Sequence, residues 1–153
     1  MQKIASFTVN HNVLEKGMYI SRIDGDVVTY DIRMKKPNGG NFLGNGELHT
    51  LEHLLATYLR NSNYSDSVVY VGPMGCRTGF YVLLRDAVSH KEAISLVRDS
   101  LKYIAQFDGV ISGSKKEECG NYLEHDLNGA RSTALDMFRV LEHTEEKDLI
   151  YKE

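Results

Sequence analysis

Residues 28–34 read VTYDIRM, and this stretch decides the fold class. Its four apolar side chains alternate with three polar ones, the period of two that predicts a strand with one buried face. Arg33 is then expected to point away from the core. A stretch rich in glycine and asparagine follows at residues 38–46 and predicts a loop.

Three other segments have the composition of strands. A shorter alternation at residues 5–9 predicts an N-terminal strand, and residues 67–71 and 78–84 are rich in Val, Tyr and Leu. The last two segments are separated only by a short stretch with GPMG at residues 72–75. So short a connection favours antiparallel pairing.

Two segments have the three-and-four spacing of amphipathic helices. Residues 48–60 carry one stripe of leucines, which predicts the first helix. The second helix is expected to begin at Ser89, whose pairing with Glu92 matches a capping box, and to end near residue 108.

A third helical stretch is predicted downstream. Ser114 and Glu117 repeat the capping pattern, and Asn128-Gly129 predicts a break before a helix at residues 130–143. Strands and helices are interspersed without the regular alternation of a parallel sheet. The predicted class is therefore α+β, with a largely antiparallel sheet packed against helices.

Length and charge narrow the classes of function. The 153 residues, 42% of them hydrophobic, suit a single domain spanning residues 1–153. With 18 basic against 21 acidic residues, the net charge is -3. This balance argues against a nucleic-acid or anionic-lipid partner and favours a small-molecule ligand.

The cysteine content predicts a reducing compartment. Cys76 and Cys119 are the only cysteines, too few for the disulfide framework of a small secreted domain. No segment approaches the ~18 apolar residues needed to span a bilayer, and the N-terminal residues lack the pattern of a signal peptide. The sequence therefore predicts a cytosolic protein with no membrane partner.

The sharpest chemical motif is HTLEH at residues 49–53. On a helix, His49 and His53 lie one turn apart with Glu52 between them. Two imidazoles can then bind one metal ion while the carboxylate is free for proton transfer. The spacing also matches the H-x-x-E-H signature of inverted zincin metallopeptidases. Because the chain has six histidines, simple packing of this pair against the core is the alternative.

A histidine pair needs a third ligand, and the sequence leaves several candidates open. They are Cys119, the other histidines, and carboxylates such as Glu117, Glu118 and Glu124. A peptidase would use a carboxylate, whereas a thiolate would give a His, His, Cys site with a position open to substrate oxygens. Cys119 could instead be a small buried apolar residue, and the metal site could belong to a non-catalytic module.

Cys76 lies in a different setting, within PMGCRTG at residues 73–79. The glycines allow close approach of the backbone, and Arg77 is a neighbouring cation that favours the thiolate form. Cys76 is thus a candidate catalytic thiol able to take and return a proton. The alternative is a tight turn with no chemical role.

Taken together, these motifs resemble one family. The segments are HTLEH at 49–53, PMGCRTGFY at 73–81, ECGNYLEHDLNGA at 118–130 and DIRMKKPN at 31–38. They resemble the LuxS family, the S-ribosylhomocysteine lyases, whose D-x-R-x-x-x-P-N stretch the last segment matches. The resemblance runs in order over nearly the whole chain, so it is far more specific than any one motif.

The resemblance implies a metal site and a pair of acid/base residues. His49, His53 and Cys119 fall on the ligands of one Fe2+ ion per subunit, for which Zn2+ or Co2+ can substitute. Glu52 and Cys76 fall on the general acid/base pair. The implied reaction cleaves S-ribosyl-L-homocysteine to L-homocysteine and 4,5-dihydroxy-2,3-pentanedione, the precursor of the quorum-sensing signal autoinducer-2.

The resemblance also implies an assembly, a bacterial cytoplasmic homodimer with active sites at the subunit interface. Ser6, His11 and Arg33 match positions that contact the substrate, some of them from the partner subunit. One departure is Tyr70, six residues before Cys76, where the family often has Asp. A phenol can accept a hydrogen bond from the ammonium group of homocysteine but offers no carboxylate charge.

Overall fold

The computed structural model describes residues 1–153 as a four-stranded sheet packed against three helices. The strands are β1 (Gly17–Asp24), β2 (Val27–Arg33), β3 (Val68–Pro73) and β4 (Gly79–Arg85), and the helices are α1 (Asn45–Arg60), α2 (His90–Ala105) and α3 (Leu127–Leu141). Short 3-10 helices lie at Ala5–Phe7, Ser65–Ser67 and Glu146–Leu149.

All strand pairs are antiparallel, in the order β1-β2-β4-β3. The two central strands turn their apolar side chains to one face, where Tyr30 and Phe80 belong to one buried cluster with Leu51 of α1 and Leu101 of α2. Helices thus cover one face of an antiparallel sheet, and the predicted α+β class is confirmed.

The opposite face of the sheet contains a buried ion pair. Arg33 lies on this face, away from the helices as predicted, but its side chain is only 4% exposed and that of Asp31 only 1%. Asp31 is aligned with Tyr19 of β1 and Tyr81 of β4, and Tyr151 donates a hydrogen bond to its carboxylate. Tyrosine side chains therefore cover charges that the sequence pattern alone would leave in water.

The strand predicted at residues 5–9 is wrong. These residues include the 3-10 helix Ala5–Phe7, and the edge strand beside β2 is β1, which the sequence pattern does not predict. The burial of β1 explains the omission. Its first residues are buried and its last three are exposed, with a register shift after Ile20, so no alternation of period two runs along it.

The helix predicted to open at Ser114 is also wrong. The segment before α3 forms turns, and Asp126 caps α3 by accepting a hydrogen bond from the Gly129 N–H at 2.9 Å. Asn128 and Gly129 lie in the first turn and do not break the helix. Glycine fits there because an added Cβ would come within 2.9 Å of the Asp126 Cγ atom.

The first two helices follow their sequence signals more closely. The capping box of α2 is present, since the Glu92 N–H donates to Ser89 Oγ at 3.1 Å, and the helix ends at Ala105. None of the three helices combines the length and the apolar character that a membrane span needs.

Candidate metal centre and catalytic thiol

Helix α1 presents two histidines from the side that the apolar stripe leaves free. The rings of His49 and His53 lie 4.6 Å apart. Glu47 fixes the start of this helix, because its carboxylate accepts the Gly44 N–H at 2.7 Å and the Thr133 hydroxyl at 2.8 Å. The second contact ties the histidine-bearing end of α1 to α3.

Backbone carbonyls determine which nitrogen of each imidazole is free. His49 Nδ1 lies 2.8 Å from the carbonyl oxygen of Glu124, and His53 Nδ1 lies 2.8 Å from that of Ser112. A carbonyl oxygen only accepts hydrogen bonds, so both Nδ1 atoms must carry the proton. Both Nε2 atoms then offer a lone pair, the arrangement found in metal-ligating histidines.

His125 completes a cluster of three imidazoles. Its ligand nitrogen lies within 4.8 Å of those of His49 and His53, and its ring stacks on His49 at 4.1 Å. Burial and the two neighbouring imidazoles lower the pKa of His125, which favours the neutral ring. Its Nε2 atom is buried without a hydrogen-bond partner, as expected of a nitrogen that faces a metal ion or a bound ligand.

Cys119 contacts this cluster through His49. Its Sγ atom lies 3.4 Å from His49 Nε2. In a tetrahedral site with bonds of 2.0–2.3 Å, a sulfur and a nitrogen ligand lie about 3.5 Å apart. The spacing thus fits two ligands of one divalent ion. A single backbone turn holds the residue in place, since the Cys119 N–H donates to the Lys115 carbonyl at 3.1 Å.

No carboxylate joins the imidazole cluster. Glu118 accepts a hydrogen bond from the Lys115 N–H, and Glu124 contributes its backbone carbonyl rather than its side chain. Glu52 is half-buried on α1, between the two histidines in sequence, and forms no hydrogen bond or ion pair. Its carboxylate is therefore not held by another side chain of the protein.

The Cys76 thiol is exposed on the turn between β3 and β4. Arg77, the cation expected to act on it, has a φ of 60° and donates from its guanidinium to the Leu43 carbonyl at 3.1 Å. The cation that contacts the thiol is instead Arg33, whose Nη1 atom lies 4.0 Å from Cys76 Sγ. The cation beside the thiol is thus 43 positions away in the sequence and is not the adjacent Arg77.

Thr78 connects the guanidinium to the sulfur. Arg33 Nη1 donates to Thr78 Oγ1 at 2.8 Å, and Thr78 Oγ1 lies 3.0 Å from Cys76 Sγ. Because a guanidinium only donates, the Thr78 oxygen accepts this bond and its own proton remains available to the sulfur. A thiolate at Cys76 would therefore receive a hydroxyl donor as well as a nearby positive charge.

Asp31 holds Arg33 in this position. Its two oxygens accept from Arg33 Nε at 3.1 Å and from Nη2 at 2.7 Å. Burial of the guanidinium acts to lower the pKa of Arg33, but the Asp31 carboxylate outweighs it and the net shift is upward. The arginine thus stays charged although it is buried.

The remaining sequence candidates lie elsewhere in the chain. Ser6 lies in the 3-10 helix Ala5–Phe7 and lines a groove of about 270 Å³ with Tyr70 and Tyr81. His11 Nδ1 lies 2.8 Å from the carbonyl oxygen of Val9. Within this chain, no hydrogen bond connects Ser6 or His11 to the thiol or to the imidazoles.

Hydrogen bonds just before α1 connect the turn that carries Cys76 to the helix that carries His49 and His53. The Leu43 N–H donates to the Arg77 carbonyl at 2.9 Å, and the Arg77 guanidinium donates back to the Leu43 carbonyl. Leu43 is fully buried and precedes the first residue of α1, Asn45, by two positions. The turn that carries Cys76 is therefore fastened to the entrance of the histidine helix.

Three residues of these centres were not singled out from the sequence. His125 was one of several histidines left open as a ligand, and nothing local distinguished it. Thr78 has no strand signal that pairs it with Cys76, because the two residues lie on a turn in which Arg77 has a φ of 60°. Tyr151 has no local signal, since only folding brings it to Asp31.

Comparison with known proteins covers almost the whole chain. The family model described as S-Ribosylhomocysteinase (LuxS) matches residues 4–148. A protein named S-ribosylhomocysteine lyase from Phocaeicola vulgatus is 45% identical to this chain, over 99% of this chain and 98% of the relative. One of the same name from Clostridium acetobutylicum is 46% identical, over 100% of both chains. One from Borreliella burgdorferi is 40% identical, over 99% of each chain. Similarity of this extent goes far beyond shared motifs, and the chain belongs to the LuxS family.

Proposed function

We propose that this protein is a metal-dependent carbon-sulfur lyase that cleaves the thioether of S-ribosyl-L-homocysteine. The products are L-homocysteine and 4,5-dihydroxy-2,3-pentanedione, the precursor of autoinducer-2. The observation that carries the proposal is the presence of two centres in one chain. One is a cluster of imidazoles with the Cys119 thiol, and the other is the separate Cys76 thiol, which Arg33 and Thr78 contact. The names of the relatives supply the substrate class.

The proposed metal ligands are His49, His53 and Cys119. Two neutral imidazoles and a thiolate suit a divalent ion and leave a coordination position for substrate oxygens. When bound, the ion would act as a Lewis acid on the carbonyl and hydroxyl oxygens of the sugar. His125 then lies beside the ligands, stacked on His49, with its unpaired Nε2 free to contact a bound molecule.

Cys76 and Glu52 are the proposed proton carriers. The thioether sulfur leaves readily only after the sugar carbonyl has moved to a position from which β-elimination can follow. Each move requires a proton to leave one carbon and another to arrive on its neighbour. Cys76 suits this task because the Arg33 guanidinium and the Thr78 hydroxyl both contact its sulfur, and Glu52 suits it because no other group engages its carboxylate.

The structure argues against the peptidase alternative. An inverted zincin would use a carboxylate as third ligand, and only imidazoles and Cys119 lie at the cluster. A purely structural metal site would also leave the supported thiol at Cys76 without a role. Both alternatives therefore account for fewer of the observed contacts.

We propose Fe2+ as the metal in the cell, one ion per subunit. Affinity trends favour zinc over iron for such donors, so zinc in an aerobically purified sample would not decide the question. The deciding measurement is homocysteine release by protein loaded anaerobically with iron, cobalt or zinc. Full activity with zinc and less with iron would overturn the assignment.

We also propose that the enzyme acts in the bacterial cytoplasm as a homodimer whose sites combine residues of two subunits. Ser6 and His11, which do not contact the thiol within one chain, are the candidates to be supplied by the partner. Mixing His11→Ala with Cys76→Ala chains tests this, because subunit exchange would restore one intact site per dimer. No recovery after demonstrated exchange would exclude shared sites, and cell fractionation tests the compartment.

The lyase activity itself is tested by incubating anaerobically purified protein with S-ribosyl-L-homocysteine and assaying the free thiol released. Chelator-treated protein is the matched control, and an unrelated thioether tests for selectivity. We expect thiol release only from the metal-loaded protein with the ribosyl substrate. Peptide hydrolysis without thiol release would favour the peptidase instead.

A further inference from the structure

A tyrosine from the segment after α3 reaches the ion pair that supports the thiol. The Tyr151 hydroxyl donates to Asp31 Oδ2 at 2.6 Å, and its ring stacks on Tyr19 at 5.0 Å. The same carboxylate oxygen accepts from Arg33 Nη2. Tyr151 and Arg33 therefore share one acceptor.

We propose that Tyr151 and Asp31 are positioning residues that determine how much of the Arg33 charge acts on the Cys76 thiol. The proposal rests on the proposed catalytic use of Cys76. Neither residue contacts the sulfur, so both act through Arg33 and Thr78.

The hydrogen bond from Tyr151 withdraws negative charge from the Asp31 carboxylate. A carboxylate that also accepts a hydrogen bond from a phenol neutralises the guanidinium less completely than one bound by the guanidinium alone. More of the positive charge of Arg33 is then available to the sulfur 4.0 Å away. Removing the phenol should disfavour the thiolate, whereas removing the carboxylate charge should favour it.

Few other charges face this pair. Tyr19 from β1 and Tyr81 from β4 flank Asp31, and Glu15 accepts the Tyr19 hydroxyl through its backbone carbonyl. Burial raises the pKa of Tyr19, Tyr81 and Tyr151. In the pH range where thiols ionise, these phenols stay neutral, so the local balance is set by Asp31, Arg33 and Cys76.

The experiment measures the pH dependence of Cys76 alkylation by iodoacetamide in the metal-loaded protein. Peptide mass spectrometry separates the modification of Cys76 from that of Cys119. Tyr151→Phe keeps the stacked ring and loses only the hydroxyl, and Asp31→Asn keeps the size and loses the charge. Tyr103→Phe, on the exposed side of α2, is the matched control.

We expect the midpoint pH of alkylation to rise by up to about one unit in Tyr151→Phe, the equivalent of one hydrogen bond. It should fall in Asp31→Asn and stay unchanged in Tyr103→Phe. A purely structural role would not produce shifts of opposite sign. An unchanged midpoint in folded Tyr151→Phe would overturn the proposal, as would a rise in Asp31→Asn; if Asp31→Asn does not fold, the Tyr151→Phe result decides.

This measurement does not depend on lyase activity. If the alkylation midpoints shift as expected but no homocysteine is released by the wild type, the proposed reaction fails and the positioning role stands. If homocysteine is released and Tyr151→Phe has the wild-type midpoint, the reaction stands and the positioning role fails.

Discussion

The imidazole cluster and the Cys76 thiol are held by different kinds of contact. His49 and His53 project from one helix, and backbone carbonyls of Ser112 and Glu124 fix their orientation. Cys76 lies on an exposed turn and is supported by the side chains of Thr78 and Arg33. Helix geometry and backbone atoms survive most substitutions, whereas a side-chain network fails when one member is replaced. The two centres should therefore respond differently to mutation.

Loss of the thiol should have the largest effect on turnover. Replacing Cys76 with Ser preserves the size of the side chain but removes its acidity, since a hydroxyl is far harder to ionise beside Arg33 than a thiol. We expect homocysteine release to fall about 10²- to 10⁴-fold, the usual cost of losing one acid/base group.

The same variant should keep its metal, because no contact joins Cys76 to the imidazoles. Elemental analysis and circular dichroism provide the controls, with Glu52→Gln as the second proton-carrier variant. Near-normal turnover by folded, metal-loaded Cys76→Ser would leave Glu52 as the main proton carrier and would remove the thiol from the mechanism.

Substitutions at the proposed metal centre, unlike Cys76→Ser, should reduce metal binding as their first effect. Cys119→Ala removes a proposed ligand, so its metal affinity should drop by more than the 10- to 100-fold that loss of a ligand's supporting partner costs. His125→Phe keeps the ring stacked on His49 but removes both nitrogens, and it should retain metal. Competition with a chromogenic chelator measures both affinities, and the reverse order of losses would make His125 the third protein ligand.

The contrast between the centres also explains what could be predicted from the sequence. The pair His49 and His53 follows from helical spacing, which is a local property, and so do the capping box at Ser89 and the alternation of β2. Arg33 as the cation beside the thiol does not follow from spacing, because 43 residues separate it from Cys76. The expectation that Arg77 would serve came from sequence adjacency, and the turn directs that side chain to Leu43.

The errors in the fold have a similar origin. Strand β1 was missed because its two ends differ in burial, and the helix expected at Ser114 was not found because a capping pattern needs an apolar stripe behind it. Gly79 gives a further example. An added Cβ there would lie 3.0 Å from the Ile32 carbonyl carbon across the sheet, a constraint visible only once the two strands are paired.

Thr50 tests how firmly the imidazole cluster is anchored. Its hydroxyl is fully buried on α1, accepts the Asp126 N–H at 3.0 Å and lies 2.9 Å from His125 Nδ1. Thr50→Val keeps the shape but removes both contacts. The Asp126 N–H still donates to the Gly46 carbonyl at 3.2 Å, whereas His125 Nδ1 loses its hydroxyl partner, which should lower the free energy of unfolding by about 1–3 kcal/mol. Thr50→Ser retains the hydroxyl and is the control in urea denaturation. Equal stability of the two variants would mean that the hydroxyl anchors nothing.

The smallest expected effect is at Tyr151, in the network that supports the Cys76 thiol. Its phenol should make the free energy of unfolding decrease with pH in the alkaline range. Burial, followed by the Asp31 charge and the hydrogen bond to Asp31, raises the pKa of Tyr151 above its ordinary value of 10.0. The phenol therefore stays protonated in the folded state while it ionises in the unfolded state. Its contribution to stability is complete below about pH 10 and is lost as the pH rises further.

Urea denaturation of wild type and Tyr151→Phe at pH 8 and pH 11 measures this dependence. Phenylalanine cannot ionise, and the other tyrosines are common to both proteins, so their contributions cancel in the difference. Wild type should be the more stable at pH 8, and the gap should narrow by about 1.4 kcal/mol at pH 11, one pH unit above the unfolded value. A gap that is the same at both pH values would mean that Tyr151 ionises as easily in the folded protein as in water. The hydrogen bond to Asp31 would then be too weak to change how much of the Arg33 charge acts on the thiol.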